Sequence, residues 1–198
     1  ITGDSLLPGG AGTLATKCLR KTAVKVLLVK QTHPRPFRRI VACVDFSEAA
    51  QEVVKHALRV AGQDHSELHF LHVFQAEWSN WNLPDRLAAL TDFEAGCSAL
   101  LEGNLRQFAE VPPETPARYT VTQAKTHGHG IAEYCRSVDA DLVVLGNRGR
   151  TTLKYILLGS TVERLLKEIP CSMLVVRPPT ETGSAMAHQA DAASGERG

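Results

Sequence analysis

Asp141-Leu-Val-Val-Leu-Gly-Asn-Arg-Gly149, followed after nine residues by Gly159-Ser160-Thr161, decides the fold. Every position from Leu142 to Leu145 is apolar. A strand with one wet face alternates, whereas a strand apolar throughout is covered on both faces, as in the centre of a parallel sheet. Upstream, Ile40-Val-Ala-Cys-Val44 is a second such run, closed by Asp45 and Ser47, and reads as a buried strand followed by a helix N-cap. Ala50, Val53, Val54, Ala57, Leu58 and Ala61 then form one apolar stripe on a helix of about four turns, ended by Gly62. Leu68 to Phe74 is the next strand. The stretch 84–110, opened by Pro84-Asp85, reads as a long helix with a break near Gly96 left open, and Pro112-Pro113 stops it. Tyr119 to Thr122 alternates as a strand. Ile131 to Val138 is a short helix entered through a Gly128-His-Gly130 loop. Beyond the quoted motif, Val162, Leu165, Leu166 and Ile169 share a helix face ended by Pro170, and Met173 to Val176 is the last strand. Strands alternating with helices predict a doubly wound α/β domain over residues 37–178. Residues 179–198 lack periodicity and read as a disordered tail.

The first residues repeat the last ones. A shift of 147 positions lays Gly12-Thr13 on Gly159-Ser160, and Ala15, Cys18, Leu19 and Thr22 on Val162, Leu165, Leu166 and Ile169. The same shift lays Val26–Val29 on Met173–Val176 and Lys30 on Arg177. Any amphipathic helix followed by a strand would align in part, but the Gly-Thr/Ser pair and the basic residue after the strand agree as well. Residues 1–36 therefore read as the last helix and strand of a preceding, similar domain, with a linker.

Composition narrows the function. Apolar residues make up 43% of the 198, enough for a core, and 22 Lys+Arg against 21 Asp+Glu leave a charge of +1. That balance argues against a dedicated nucleic-acid binder or a polybasic membrane-surface protein. No apolar run approaches the roughly 18 residues a membrane span needs. Five cysteines, at 18, 43, 97, 135 and 171, form neither a CxxC pair nor an even framework, and read as reduced thiols of a cytoplasmic protein. Ile1 rather than Met opens the chain and no signal-peptide pattern follows it, so the gene is expected to begin upstream.

Gly146-x2-Gly149-x9-Gly159-Ser160 is neither a dinucleotide GxGxxG nor a Walker loop, which needs GK[S/T]. Its physics is still that of a phosphate site. Glycines at the end of a parallel strand let a ligand approach the backbone with no Cβ in the way. Gly159-Ser160-Thr161 opens a helix, where free N–H groups and the positive end of the dipole favour an anion. Arg148, Arg150 and Lys154 add positive charge to the loop. Two glycines and a capped helix also occur as a plain turn; the full spacing in its strand–loop–helix context favours nucleotide phosphate.

With these residues in place, 37–177 resembles the universal stress protein domain in its ATP-binding branch. The resemblance runs through Arg39-Ile-Val-Ala-Cys-Val-Asp-Phe-Ser47, Leu71-His-Val73, Asp141–Gly146, Ile156-Leu-Leu-Gly-Ser160 and Cys171–Arg177. It implies a Rossmann-like, five-stranded parallel sheet of order 3-2-1-4-5, with ATP across the strand ends between strands 1 and 4. It further implies that Asp45 contacts adenosine, that Cys43 and Val44 line that edge, and that Val73 meets adenine through its backbone. Leu145 and Gly146 would lie beside the ribose, with Arg148, Gly149, Gly159, Ser160 and Thr161 around the phosphates. A hydroxyl often found two residues after the motif serine is here replaced by Val162. Family members commonly pair their last strands edge to edge, so 26–29 is expected against 173–176, within one chain or across a homodimer.

Other candidates carry less. Asp45 and Ser47 also suit a plain helix cap. His69 and His72 fall on opposite faces of a strand, and His127 and His129 lack further ligands, so Mg²⁺ held by nucleotide oxygens is favoured over a protein-held metal. Cys43 inside a strand reads as packing rather than as a redox thiol, and Trp78 and Trp81 as loop anchors rather than a lid. No nucleophile elbow or paired carboxylate is present. The expectation is an ATP-binding stress-response module that changes partner or self-association with occupancy. Its rivals are a weak ATPase on the same sheet and a scaffold with an empty site.

Overall fold

The structure, a computed structural model, describes residues 13–22, 24–30, 35–75, 87–147, 158–168 and 170–177. In chain order the elements are α1 (Thr13–Lys21), β1 (Val26–Leu28), β2 (Arg39–Cys43), α2 (Glu48–Asp64), β3 (Glu67–Phe74), α3 (Leu87–Ala109), β4 (Ala117–Gln123), α4 (His127–Ser137), β5 (Leu142–Gly146), α5 (Ser160–Glu168) and β6 (Ser172–Val176). They build one six-stranded sheet of order β1-β6-β5-β2-β3-β4. The five strands from β2 to β6 are parallel to their neighbours and reproduce the expected 3-2-1-4-5 arrangement. The sheet has a sixth strand because β1 adds to β6 antiparallel, with Val26 opposite Val175 and Leu28 opposite Met173. The pairing expected between these two segments thus occurs within the chain.

Alternation along each central strand divides the core in two. Val41, Leu71, Val73, Val143, Leu145, Met173 and Val175 face α1, α4 and α5, where Leu19, Ile131, Cys135, Val162 and Leu165 meet them. Ile40, Ala42, Leu68, Phe70, Leu142, Val144 and Leu174 face α2 and α3, against Val53, Val54, Ala57 and Leu105. Both faces of β5 are therefore apolar for a structural reason. Each fully buried Val, Leu, Ile, Phe or Met side chain among them contributes on the order of 1.5–3 kcal/mol.

Asp141 closes the lower end of the sheet. Its Oδ2 accepts from the backbone N–H groups of Arg38 (2.9 Å) and Arg39 (3.1 Å), and its Oδ1 pairs with Arg35 at 3.0 Å. A polar chain running from the buried His69 out to the surface ties β3 to β4 and α4. The ring Nδ1 of His69 is 3.0 Å from the Tyr134 hydroxyl, which also meets Thr120 Oγ1 at 2.9 Å. His69 Nε2 lies 3.5 Å from Glu67 Oε1, and Arg118 holds that carboxylate at 2.5 Å. Burial lowers the pKa of His69 below the ordinary histidine value despite Glu67.

Several boundaries differ from the sequence expectation. α2 runs through Gly62 and ends at His65, in the left-handed region at φ 53°, with Ser66 N–H closing back on Ala61 O. α3 passes Gly96 unbroken; its expected opening at Pro84-Asp85 lies outside the described residues. α4 begins at His127, so Gly128 and Gly130 belong to its first turn and not to a loop. His69 and His72 fall on opposite faces as expected. Trp78, Trp81 and the tail 179–198 lie outside the described residues.

Two outcomes follow from this packing. Removing residues 1–30 strips β1 from β6 and uncovers part of the α4–α5 core. The shortened chain should elute as larger species in size-exclusion chromatography with light scattering; unchanged solubility and association state would refute the edge-covering role. For His69, the unfolded chain takes up a proton near pH 6.5 that the folded chain resists. Stability should thus be full above about pH 6.5 and fall as pH drops below it. Thermal melts from pH 7.5 to 5 should show that loss in the wild type and a shallower one in His69→Phe. Equal slopes would exclude His69 as its source.

Candidate functional site

The strand order sets where a ligand can enter. From β2 the chain moves to β3 and β4 through α2 and α3 on one face; from β4 it returns to β5 and β6 through α4 and α5 on the other. β2 and β5 are hydrogen-bonded neighbours, with Ile40 opposite Leu142 and Ala42 opposite Val144. The connections leaving their carboxyl ends diverge to opposite faces. Open parallel sheets bind ligands at such a crevice. Most of the expected site residues sit there: Cys43 ending β2 with Val44 and Asp45 after it, Leu145 and Gly146 ending β5, Val73 near the end of β3, and Gly159, Ser160 and Thr161 opening α5. Arg148 and Gly149, with Arg150 and Lys154, lie outside the described residues.

The β2 end is rigidly built. Val44 N–H donates to Leu71 O at 2.9 Å, and the Nδ1–H of His72 donates to Val44 O at 2.7 Å. Asp45 Oδ1 accepts from Ser47 N–H (3.1 Å) and Ser47 Oγ (2.6 Å). Ser47 occupies the α2 N-cap position without a side-chain cap bond, so the alternative role of this pair as a helix cap is replaced by a tight Asp-to-Ser turn. Between them Phe46 adopts φ 61°, an uncommon backbone for an aromatic residue. Its ring packs against His72 (centroids 4.7 Å apart) and edge-on to Phe108 (5.7 Å). Cys43 packs against the α4–α5 core; burial, then Cys171 and Asp45, push its thiol far above the usual range. A thiol held protonated suits packing rather than redox chemistry.

The β5 end is joined to α5 by one residue. Asn147 N–H donates to Val176 O at 2.8 Å, and Asn147 O accepts from Gly159 N–H at 3.0 Å. The residue is 3% exposed, and its Oδ1 has no hydrogen-bond partner among the described residues. Gly159 stands before the first residue of α5 and offers no capping side chain, so among the described residues the leading N–H groups of this helix are left for an external acceptor. Ser160 is exposed and Thr161 half-buried. Val162 is 1% exposed and belongs to the core, which accounts for the missing hydroxyl at that position. A helix start and a buried acceptor that find no partner among the described residues, beside a strand-end glycine, fit a phosphorylated ligand that also carries donor groups.

Sequence reading missed Asn147, Phe46 and His72. Asn147 lay in plain view between the motif glycines, but its burial depends on α5. Of the loop histidines weighed as ligands, His129 has its Nε2 3.3 Å from Glu133 on the same helix. An open groove of about 620 Å³ lies elsewhere, between α1 and β1, lined by Lys17, Cys18, Lys21 and Lys25.

Comparison with known proteins agrees with this architecture. The family model of universal stress proteins matches residues 36–177. A universal stress protein of Methanocaldococcus jannaschii is 30% identical over 152 residues, 72% of this chain and 84% of that protein. Universal stress protein UspA from Lactobacillus plantarum superposes with a TM-score of 0.57 at 26% identity, covering 73% of this chain and all of that one. A Pseudomonas aeruginosa structure gives a TM-score of 0.63 at 21% identity, covering 96% of this chain and 64% of that longer one. A further universal stress protein, similar in fold at a TM-score of 0.51 and 20% identity, was solved in complex with cAMP. With the match spanning the whole parallel sheet, the chain belongs to the universal stress protein family.

Proposed function

We propose that this chain binds an adenine nucleotide, ATP foremost, in the crevice between the ends of β2 and β5. The observation that carries the reading is the start of α5, whose leading N–H groups have no acceptor among the described residues, set against Gly146 and the buried Asn147 Oδ1, which likewise has no partner among them. In this reading Ser160 and Thr161 donate to phosphate through backbone and hydroxyl groups, with Gly149 and Arg148 from the motif loop completing the cradle. Leu145 and Gly146 flank the ribose. Asp45, with Oδ1 taken by Ser47, accepts from the adenosine end through Oδ2, while Cys43, Val44 and the Val73 backbone line the base. Mg²⁺, where present, is held by phosphate oxygens. Asn147 Oδ1, an acceptor, would take a hydrogen bond from a donor on the ligand or from its hydration. The family neighbour complexed with cAMP, itself an adenine nucleotide, supports the choice of ligand class.

The function proposed is that of a cytoplasmic stress-response module whose occupancy shifts the population of the motif loop and, through α5, its association with itself or a partner. Residues 1–36 are read as the closing helix and strand of an equivalent preceding domain. Support comes from the pairing register. Under the 147-residue shift Val26 corresponds to Met173 and Leu28 to Val175, and these four form two reciprocal pairs around Leu27–Leu174. Such reciprocity is the mark of a local two-fold relation. The coverage of a longer relative by nearly the whole chain agrees with it.

Calorimetric titration of ATP with MgCl2 into the full chain should give saturable binding near one nucleotide per chain. Asp45→Ala should weaken it about tenfold, the cost of one lost buried hydrogen bond to the ligand, and Gly149→Ala should weaken it as well. Absence of binding to the folded wild type would overturn the reading, and sustained phosphate release lost in Asp45→Ala would make the protein an ATPase instead.

A further inference from the structure

Gly130 lies in the first turn of α4, with its N–H on Thr126 O at 3.1 Å and no left-handed backbone to require a glycine. Its requirement is space. A Cβ built there would stand 2.7 Å from Ala124 Cβ and 2.8 Å from Val73 Cγ1, closer than side chains tolerate. Neither neighbour can yield cheaply. Ala124 Cβ is fixed to backbone whose N–H donates to Phe74 O at 3.0 Å, and Val73 is a stiff β-branched residue 5% exposed. Gly128, two residues earlier, is less crowded: a Cβ there would stand 3.0 Å from Arg164 Cβ and 3.2 Å from its Cγ and Cδ, a gap that a shift of a few tenths of an ångström would open. Gly62 and Gly103 have nothing within 4 Å. The α4 start is thus pressed onto the end of β3 at one glycine, and that contact falls on Val73.

We propose that Gly130 is a positioning residue for the base end of the site: by letting α4 seat directly on Val73, it sets the depth at which the β3 backbone meets the base, and so the preference for adenine. The inference rests on the nucleotide reading above. A methyl group at position 130 either lifts α4 or displaces the Val73 segment, and both move the surface that the base touches.

The test is calorimetry of ATP, AMP and GTP with the full-length wild type, Gly130→Ala and Gly103→Ala, with folding followed by circular dichroism. Gly130→Ala should lose about tenfold or more in affinity for ATP and AMP alike, and its ATP-over-GTP preference should shrink. Gly103→Ala should match the wild type. Restoring room with Ala124→Gly and Val73→Ala in the Gly130→Ala background should recover most of the preference. Unchanged ATP binding by folded Gly130→Ala overturns the inference, and so does a loss with an unchanged ATP:GTP ratio, which marks general loosening. If Gly130→Ala does not fold, Val73→Ala, which opens the same contact, is read in its place; an unaltered ATP:GTP ratio there overturns the inference. A folded wild type that binds no nucleotide removes the nucleotide reading itself, and this inference with it.

Discussion

The constraint on which the rest depends is that parallel strands need both faces covered, while right-handed connections allow only one face to be covered in each direction of travel. Moving from β2 toward β4 puts α2 and α3 on one face; moving from β4 back to β6 puts α4 and α5 on the other. Where the direction reverses, at β2 and β5, the connections lead to helices on opposite faces. The crevice is therefore a consequence of winding and not of any residue in it. What residues decide is which chemistry fills it, and here they leave backbone N–H groups at α5 and a carboxylate at Asp45.

The N-terminal piece is tied into this frame at three levels. β1 pairs with β6, Leu19 enters the core at 0% exposure, and Arg177 donates to Leu19 O near the carbonyl end of α1. Arg20 also meets Glu163 at 2.6 Å in the first turn of α5. Both side chains are substantially exposed, so the ion pair by itself contributes little; the buried leucine and the strand pairing hold the segment. α1 nonetheless rests on the helix whose opening faces the crevice. A shift at that opening has a direct mechanical route to the N-terminal segment.

The strands were legible in the sequence because burial on both faces writes itself as uninterrupted apolar runs, as in Leu142–Leu145. The order of the five parallel strands came from the family resemblance, and the pairing of the N-terminal segment from the repeat joined to it. Glycines misled. Gly62 reads as a helix stop and Gly128-His-Gly130 as a loop, because local propensity treats glycine as a breaker. In the structure Gly62 sits in open space in the last turn of α2, and Gly130 is a glycine in a helix because Val73, distant in sequence, and Ala124 leave no room for a Cβ. The actual stop, His65, carries little signal in its identity. Asn147 was hidden for a similar reason: its orphaned oxygen exists only once β6 and α5 have closed around it. The candidate residues at strand ends were named because a motif and a family point to them, whereas Phe46 and Asn147, which shape the crevice around them, carry no such pointer.

Phe46 shows what that holding consists of. A left-handed conformation at an aromatic residue costs on the order of 1–3 kcal/mol and persists only where the surroundings over-determine it. The surroundings here are the rings of His72 and Phe108 on either side and the Asp45–Ser47 turn that closes over it. His72 also donates to Val44 O, so one side chain fixes both the strand end and the ring that turns the chain away from it. A glycine at 46 would adopt the angle freely but would leave His72 and Phe108 without their shared neighbour. The strain is thus offset by packing, and the product is an Asp45 whose carboxylate is fixed on one oxygen and unencumbered by helix capping. A carboxylate orientated before any ligand arrives loses less entropy on binding than one that must be ordered then. The same logic places Gly130 under Val73: in both cases a local rule is broken at the rim of the crevice, and the breakage is what makes the rim stiff.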